Sequence, residues 1–514
     1  MRRNIRFIDI QKPGTKKHSC ITQLLSIFFL IVTLLSGCTS VKQAAYNPAT
    51  KLSPESIKED FSVLKKILEA NHPSLYWYTS KDSIDIYYNQ AFSSLNDSLT
   101  ELQFKNKVAW FVTKIRCGHT SVRPSKSYTA YVSTHRSKQF PVYLKAWGDT
   151  LAVIGNLNKG DSILKRGTII TSIEGLSNRV LLDSMFQFIS TDGYGDNFKN
   201  QVISFNFPLY YSFAFPIKDS FAVTFIDSLG NQQSAFIRAY KPLPDTAKHR
   251  ANKPINQPSR NDVKKIQLLS KRSLNYDTSS DLAYMRLATF SGGRLRNFFR
   301  NSFQELKQKN TPNLIIDLRE NSGGNIGTAA NLSRYLKNTP FHIADTAAAV
   351  NRSLTYGNYI HPAWFYRMVM RFTTRKKSDG KFHFTALEQH QYKPYHNLHY
   401  NGNVYVLQGG YTFSAAAMFI LSIKGQSNVT VVGEETGGGN YGTSAVHLPT
   451  IVLPNSHIQI SLPLYRLVPD RSQIHNGRGI QPDVLVEPST GYIRKNVDHK
   501  VEVIKDLIRK KKQS

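Results

Sequence analysis

Three short apolar runs constrain this chain most: Leu314-Ile315-Ile316, Val404-Tyr405-Val406-Leu407 and Val429-Thr430-Val431-Val432. Near-continuous apolar stretches of this length suit strands covered on both faces, the usual state of a parallel sheet. Each run then breaks at glycines. The first enters Asp317-Leu-Arg-Glu-Asn-Ser-Gly-Gly-Asn325, the second Gly409-Gly-Tyr-Thr-Phe-Ser-Ala-Ala-Ala417, and the third Gly433-Glu-Glu-Thr-Gly-Gly-Gly-Asn440. With the strand-like Leu282-Ala-Tyr-Met-Arg-Leu287 and a helical pattern from Phe298 to Leu306, the alternation predicts an α/β layered domain over 276–490. The stretch 345–400, rich in Tyr, His and Lys, is expected to run over its surface.

At 514 residues the chain exceeds what one core usually organises, and other periods occupy its first half. Ser53-Pro54 reads as an N-cap and first helical position, followed by Ile57, Phe61, Leu64 and Leu68 at helical spacing. Thr100 and Gln103 form a capping box ahead of Phe104, Val108, Phe111, Val112 and Ile115. A helical domain over 38–130 follows. Residues 137–245 switch to short β-rich runs, clearest at Val142-Tyr-Leu144, Leu151-Ala-Val-Ile154 and Thr168-Ile-Ile170. There Gly160-Asp-Ser-Ile-Leu-Lys-Arg-Gly167-Thr-Ile-Ile-Thr-Ser-Ile173-Glu-Gly175 resembles the core of a PDZ domain, a module that binds extended peptides by adding a strand. Residues 246–275 read as a linker and 491–514 as a basic tail.

The net charge of +31 first suggests an anionic partner. The basic residues are scattered, however, apart from Arg375-Lys376-Lys377 and Arg509-Lys-Lys-Lys512, and no aromatic-interleaved or helix-turn-helix pattern accompanies them. Nucleic acid is therefore not the expected partner. Residues 1–37 hold six Lys and Arg against Asp9, then the apolar run 21–35, then Ser36-Gly37-Cys38. A run of fifteen residues falls short of the ~20 of a membrane-spanning helix, and small residues beside a cysteine mark an export signal. The pattern resembles a bacterial lipobox. It implies cleavage before Cys38, acylation of that residue, and a lipid-anchored protein of the cell envelope, facing the periplasm or at the outer membrane. Cys117 is then the one cysteine of the mature body, which excludes an intramolecular disulfide and a cluster of zinc-binding thiols.

The chemistry sits in the glycine turns. Paired glycines let backbone amides point outward, as stabilisation of an oxyanion requires, and Ser414 stands before a helix of small residues, where its hydroxyl meets the positive end of the helix dipole. A serine in such a place is equally an ordinary N-cap, and Gly-Gly after a strand an ordinary turn. Of the histidines, His72, His119, His390 and His475 are candidates where their neighbours support them.

The order of segments supplies the context. A helical unit, a PDZ-like insert, Asp-Leu-Arg-x-Asn-x-Gly-Gly, Ser-Ala-Ala, Gly-Glu-x-Thr and a closing Gly479-Ile-Gln-Pro-Asp483 resemble the S41 peptidases, which include the C-terminal processing proteases and the tricorn core protease. The resemblance implies a ClpP/crotonase-like catalytic domain, with Ser414 as nucleophile and the amides of Ala415 and of Gly323 or Gly324 as oxyanion donors. Processing proteases activate serine with a lysine, but the matching place is near Gly439 and 433–442 hold no lysine. The tricorn-like branch uses a histidine, matching His119 in Gly118-His119-Thr120. What orients that histidine stays open: Gly118 stands where a serine is found in tricorn, and Ile474-His-Asn-Gly-Arg-Gly479 has no acid. His475, Glu434 and Glu435 are the remaining candidates. The function implied is a serine endopeptidase acting on unstructured or damaged exported proteins, with no metal or organic cofactor. A catalytically inactive peptide binder and a lipid-tethered polyanion-binding protein are the alternatives.

Overall fold

The predicted strands join one six-stranded sheet. In the computed structural model, which describes residues 46–227, 229–242, 258–277, 279 and 281–513, its order is Arg272–Asp277, Leu282–Leu287, Asn313–Asp317, Asn403–Gln408, Val429–Gly433 and Val484–Leu485. The first pair is antiparallel and every later pair parallel. Alternate side chains feed two cores, as a strand's period of two dictates. Leu314, Ile316, Val404 and Val406 pack with Phe299, Phe303, Leu332 and Phe419 of the helices Leu295–Gln308, Ile326–Ser333 and Ala415–Ile423. Ile315, Tyr405, Leu407 and Val432 face Ile504 and Ile508 of the helix His499–Gln513. The pairing Asp317↔Leu407 and Gln408↔Gly433 brings the carboxyl ends of three parallel strands to one edge, so the three glycine turns leave it side by side.

The helical unit matches the expected capping. Ser53 caps Pro54–Asn71, and Thr100 and Gln103 form a reciprocal capping box at Glu101–Thr113. Its apolar stripe is not a separate core. Phe61, Leu64, Phe104 and Phe111 share one cluster with Ala347, Ile451, Ile460 and Leu467 from two further sheets of the catalytic half. One of these pairs Val122–Arg123, just past His119, with Gln459–Ser461.

Residues 142–238 hold an antiparallel sheet of Val142–Trp147, Thr150–Asn156, Ile169–Ile173, Ser220–Ile226 and Gln232–Arg238, with Asn178–Phe186, Asn197–Phe205 and Phe207–Ala214 as helices. The glycine turn at Gly167 and the tight turn Glu174-Gly175, all at positive φ, bracket the strand between them.

Three expected boundaries differ. The end of the expected linker is ordered: Arg260–Lys271 is a helix with a Ser259/Asp262 capping box, and Arg272–Asp277 is the sheet's edge strand. That helix buries none of its residues, so no apolar period marks it. The expected basic tail is the docked helix His499–Gln513, which reaches the sheet with little more than Ile504 and Ile508 buried. The expected surface excursion contributes Thr346–Ala349, a strand inside a five-stranded sheet whose Ala347, Ala348 and Ala349 are buried. Alanines carry little strand propensity, which hid it. Residues 1–37 and Cys38 lie outside the described residues, as do 243–257. Among the described residues no helix is long and apolar enough to cross a membrane.

Candidate active site

The first turn grips the second. Asn321, fully buried, donates from Nδ2 to the Leu287 carbonyl (3.0 Å), and its Oδ1 accepts from the Gly323 amide (2.9 Å). Its carbonyl accepts from the Phe413 amide (3.1 Å). This draws Gly323 so close to Ser414 that a Cβ on it would lie 2.7 Å from the serine Cβ and 3.0 Å from the Ala415 nitrogen. With φ of +106°, position 323 needs glycine on both counts. The third turn closes from the other side, since the Gly438 amide donates to the Thr412 carbonyl (3.1 Å). Asp317 and Arg319 of the first motif instead pair with each other (2.7 Å), and Arg319 also holds Asp498 (2.7 Å) at the C-terminal helix.

Ser414 is not a plain cap. Its φ of 52° and ψ of −124° lie outside the usual capping geometry, and its side chain makes no capping hydrogen bond to Ala415–Ile423. A non-glycine residue in such backbone is held by its surroundings at a cost of ~1–3 kcal/mol, a feature that concentrates at reactive sites. Around it, the Gly323 amide is spent on Asn321, whereas the amides of Gly324 and Ala415 have no protein acceptor among the described residues.

His119 arrives from the far end of the chain. Its ring lies 5.0 Å, centroid to centroid, from that of Phe413, the residue before Ser414. The segment is fastened on three sides. Val122–Arg123 pairs with Gln459–Ser461. Buried His72 accepts from the Ser74 amide at Nδ1 (3.1 Å), which leaves Nε2 to donate to Thr120 Oγ1 (2.8 Å). From the β-rich region, loop 187–196 brings Ser190 Oγ to the Thr120 carbonyl (2.7 Å), the Gly193 amide to the Arg116 carbonyl (3.0 Å) and Asp192 Oδ1 to the Gly118 amide (2.8 Å). Gly118 is spatially required: a Cβ there would sit 2.4 Å from the Phe413 ring.

His119 Nδ1 meets Thr443 Oγ1 (3.3 Å), and the same hydroxyl donates to Asp192 Oδ2 (3.0 Å). Thr443 and Asp192 are both buried. Burial holds the His119 imidazole down to about 4, so it is neutral near pH 7. Burial pushes the Asp192 carboxyl up to about 7, against the hydrogen bonds from Gly118, Thr443 and Gly439 that favour its ionised form.

The other candidates lie elsewhere. Glu435 pairs with Arg478 (2.5 Å) and accepts from the Gly479 amide (2.7 Å), tying the third turn to the closing segment. Glu434 pairs with Lys500 (2.5 Å). His475 is exposed and stacks among Trp77, Tyr78 and Tyr441 at 4.8–5.1 Å. His390 is exposed against Tyr392. The sequence reading missed Asp192 and Thr443. The one hint of Asp192 is the polar, glycine-bearing Ser190-Thr-Asp-Gly-Tyr194, longer than a tight turn requires; Thr443 leaves none.

Comparison with known proteins bears on this edge. The model of Peptidase family S41 matches residues 281–486, a span holding all three glycine turns. Residues 281–486 are an S41 peptidase domain. That membership supports a serine-type peptidase. Among solved structures, mature CPAF is similar over 88% of this chain and 97% of its own, with 14% identity and a TM-score of 0.64. CPAF complexed with lactacystin is similar over 90% and 98%, with 14% identity and a TM-score of 0.63. At that identity the likeness is one of fold, and it takes in the helical and β-rich regions as well as the S41 domain. No curated protein matches the sequence.

Proposed function

We propose that the protein is a serine endopeptidase that cleaves through an acyl-enzyme on Ser414 with His119 as general base. One observation carries this reading: the His119 ring packs on Phe413 next to a serine held at positive φ, beside two amides with no protein acceptor among the described residues. Ser414 Oγ adds to the scissile carbonyl carbon while its proton passes to His119. The oxygen, now negative, takes hydrogen bonds from the Ala415 and Gly324 amides in place of solvent. Collapse of the tetrahedral adduct breaks the C–N bond as His119 returns the proton to the departing amine. Water, deprotonated by the same imidazole, then releases the acid and restores the serine. A neutral imidazole suits this task near pH 7. A lysine base finds no support, because 433–442 contain none.

The substrate of this reading is an extended or unfolded polypeptide, with the antiparallel sheet of 142–238 as the PDZ-like region that would receive it by strand addition. The leader 1–37 and Cys38 support export and lipid anchoring at the cell envelope, testable by metabolic labelling with a fatty acid in wild type and Cys38→Ala.

The catalytic assignment is tested with a serine-reactive phosphonate and an unstructured protein substrate. Wild type should be labelled once and cleave, Ser414→Ala should do neither, and His119→Ala should do both far more slowly. Labelling that persists in Ser414→Ala would displace the nucleophile. A wild type that binds peptide without labelling or cleavage would make the protein an inactive binder.

A further inference from the structure

We propose that Asp192 and Thr443 are the positioning residues of the His119 base, so that the acid serving this site comes from the β-rich region and acts through a threonine hydroxyl. This rests on the reading of Ser414 and His119 above. Thr443 Oγ1 has one proton and two lone pairs. An ionised Asp192 can only accept, so the hydroxyl proton is committed to Oδ2 at 3.0 Å, and the remaining lone pairs face His119 Nδ1 at 3.3 Å. Nδ1 must then carry the imidazole hydrogen, which leaves the lone pair on Nε2, the nitrogen available to take a proton. Without the carboxylate, the hydroxyl could turn and donate to Nδ1, fixing the opposite and unproductive tautomer.

The arrangement is built rather than incidental. Both partners are buried, and Asp192 Oδ1 is anchored by the Gly118 amide at 2.8 Å, one residue before the histidine it serves. The Gly439 amide, from the third glycine turn, also donates to this carboxylate. The loop is further fixed by Gly193, whose amide reaches the Arg116 carbonyl and whose φ of +67° and contact with Gly477 leave no room for a side chain. One carboxylate thus joins the β-rich region, the helical unit and the S41 domain at the base. Glu434 and Glu435, the acids closer in sequence to a catalytic motif, are committed to Lys500 and Arg478.

Kinetics on an unstructured protein substrate, phosphonate labelling rates and thermal unfolding of the full chain separate a positioning role from a merely structural one. Thr443→Val, which keeps shape and loses the hydroxyl, should lower kcat about 10²-fold, the scale of general-base catalysis, with KM nearly unchanged. Thr443→Ser should restore most of that rate. Asp192→Asn should fall like Thr443→Val, and the double variant should fall no further than the worse single one, because both act through one group. A Thr443→Ser protein as slow as Thr443→Val, a fully active Thr443→Val, or multiplying losses in the double variant would overturn the proposal. If Ser414→Ala and His119→Ala abolish turnover while Thr443→Val stays at the wild-type rate, only the positioning role falls. If Ser414→Ala retains labelling, the underlying assignment falls instead.

Discussion

Two loops press on each other beside the His119 segment, and they differ in what they bring. Loop 187–196 of the β-rich region and segment 474–479 of the S41 domain meet through the Tyr194 amide and the Gly477 carbonyl (2.8 Å). The second is where sequence reasoning looked for an acid; it carries His475, stacked among aromatic rings, and Arg478, paired with Glu435. The first carries Asp192, whose carboxylate joins Gly118 and Thr443. A base can be served by whichever neighbouring backbone brings a buried carboxylate within reach, so the acid need not share a domain or a sequence neighbourhood with the nucleophile.

The largest break of this comparison should come at Gly193. A Cβ there would lie 2.1 Å from the Gly477 carbonyl oxygen, at a φ of +67°. Gly193→Val should therefore undock the loop and cut kcat by about 10²-fold or more, the scale expected when the base is mispositioned. Next comes the contrast of acids. Glu435→Gln should lower stability by ~1–3 kcal/mol, as loss of a charge-assisted partner for Arg478 and Gly479 implies, while changing kcat little. Asp192→Asn should do the reverse. Equal kcat losses for the two would erase the distinction between the loops.

Protonation sharpens the same contrast. His119 is held down to about 4 from its ordinary 6.5, and His72 to about 3, both by burial. The stability tied to their neutral forms is present above pH 6.5 and is lost as pH falls through the folded values. Asp192 runs the other way: raised from 3.8 to about 7, its contribution is present below 3.8 and is lost as pH rises through about 7. The Gly118, Thr443 and Gly439 donors face it, as do, as neutral acids, buried Cys117 and Tyr78, while His119 is reached through the Thr443 hydroxyl. Urea midpoints of wild type and Asp192→Asn, followed from pH 4 to pH 8, should diverge, with the wild type losing relatively more on the alkaline side. Parallel curves would show that Asp192 does not titrate there. The smallest effect belongs to His475→Ala, expected to leave kcat within about two-fold of wild type because exposed positions outside a network change little.

The parts of this molecule legible in its sequence are those written in local pattern. Apolar strands ending in glycine located the sheet edge, and Thr100 with Gln103 announced a helix that forms as read. Ser414 and His119 stood out once the segment order was considered, and the fold sets them on adjoining segments. Asp192 and Thr443 left no such mark. An aspartate before glycine reads as a turn, and only its burial beneath three regions of the chain gives it a different environment. The helices Arg260–Lys271 and His499–Gln513 were missed for a related reason: none or few of their residues are buried, so packing imposed hardly any period on them.

The most direct test of the central claim is a crystal structure of the phosphonate-inhibited protein. The account predicts phosphorus bonded to Ser414 Oγ, the phosphoryl oxygen facing the Ala415 and Gly324 amides, and His119 Nε2 within about 3.2 Å of the adduct. Phosphorus on another residue, or an imidazole turned away from an adduct at Ser414, would contradict it.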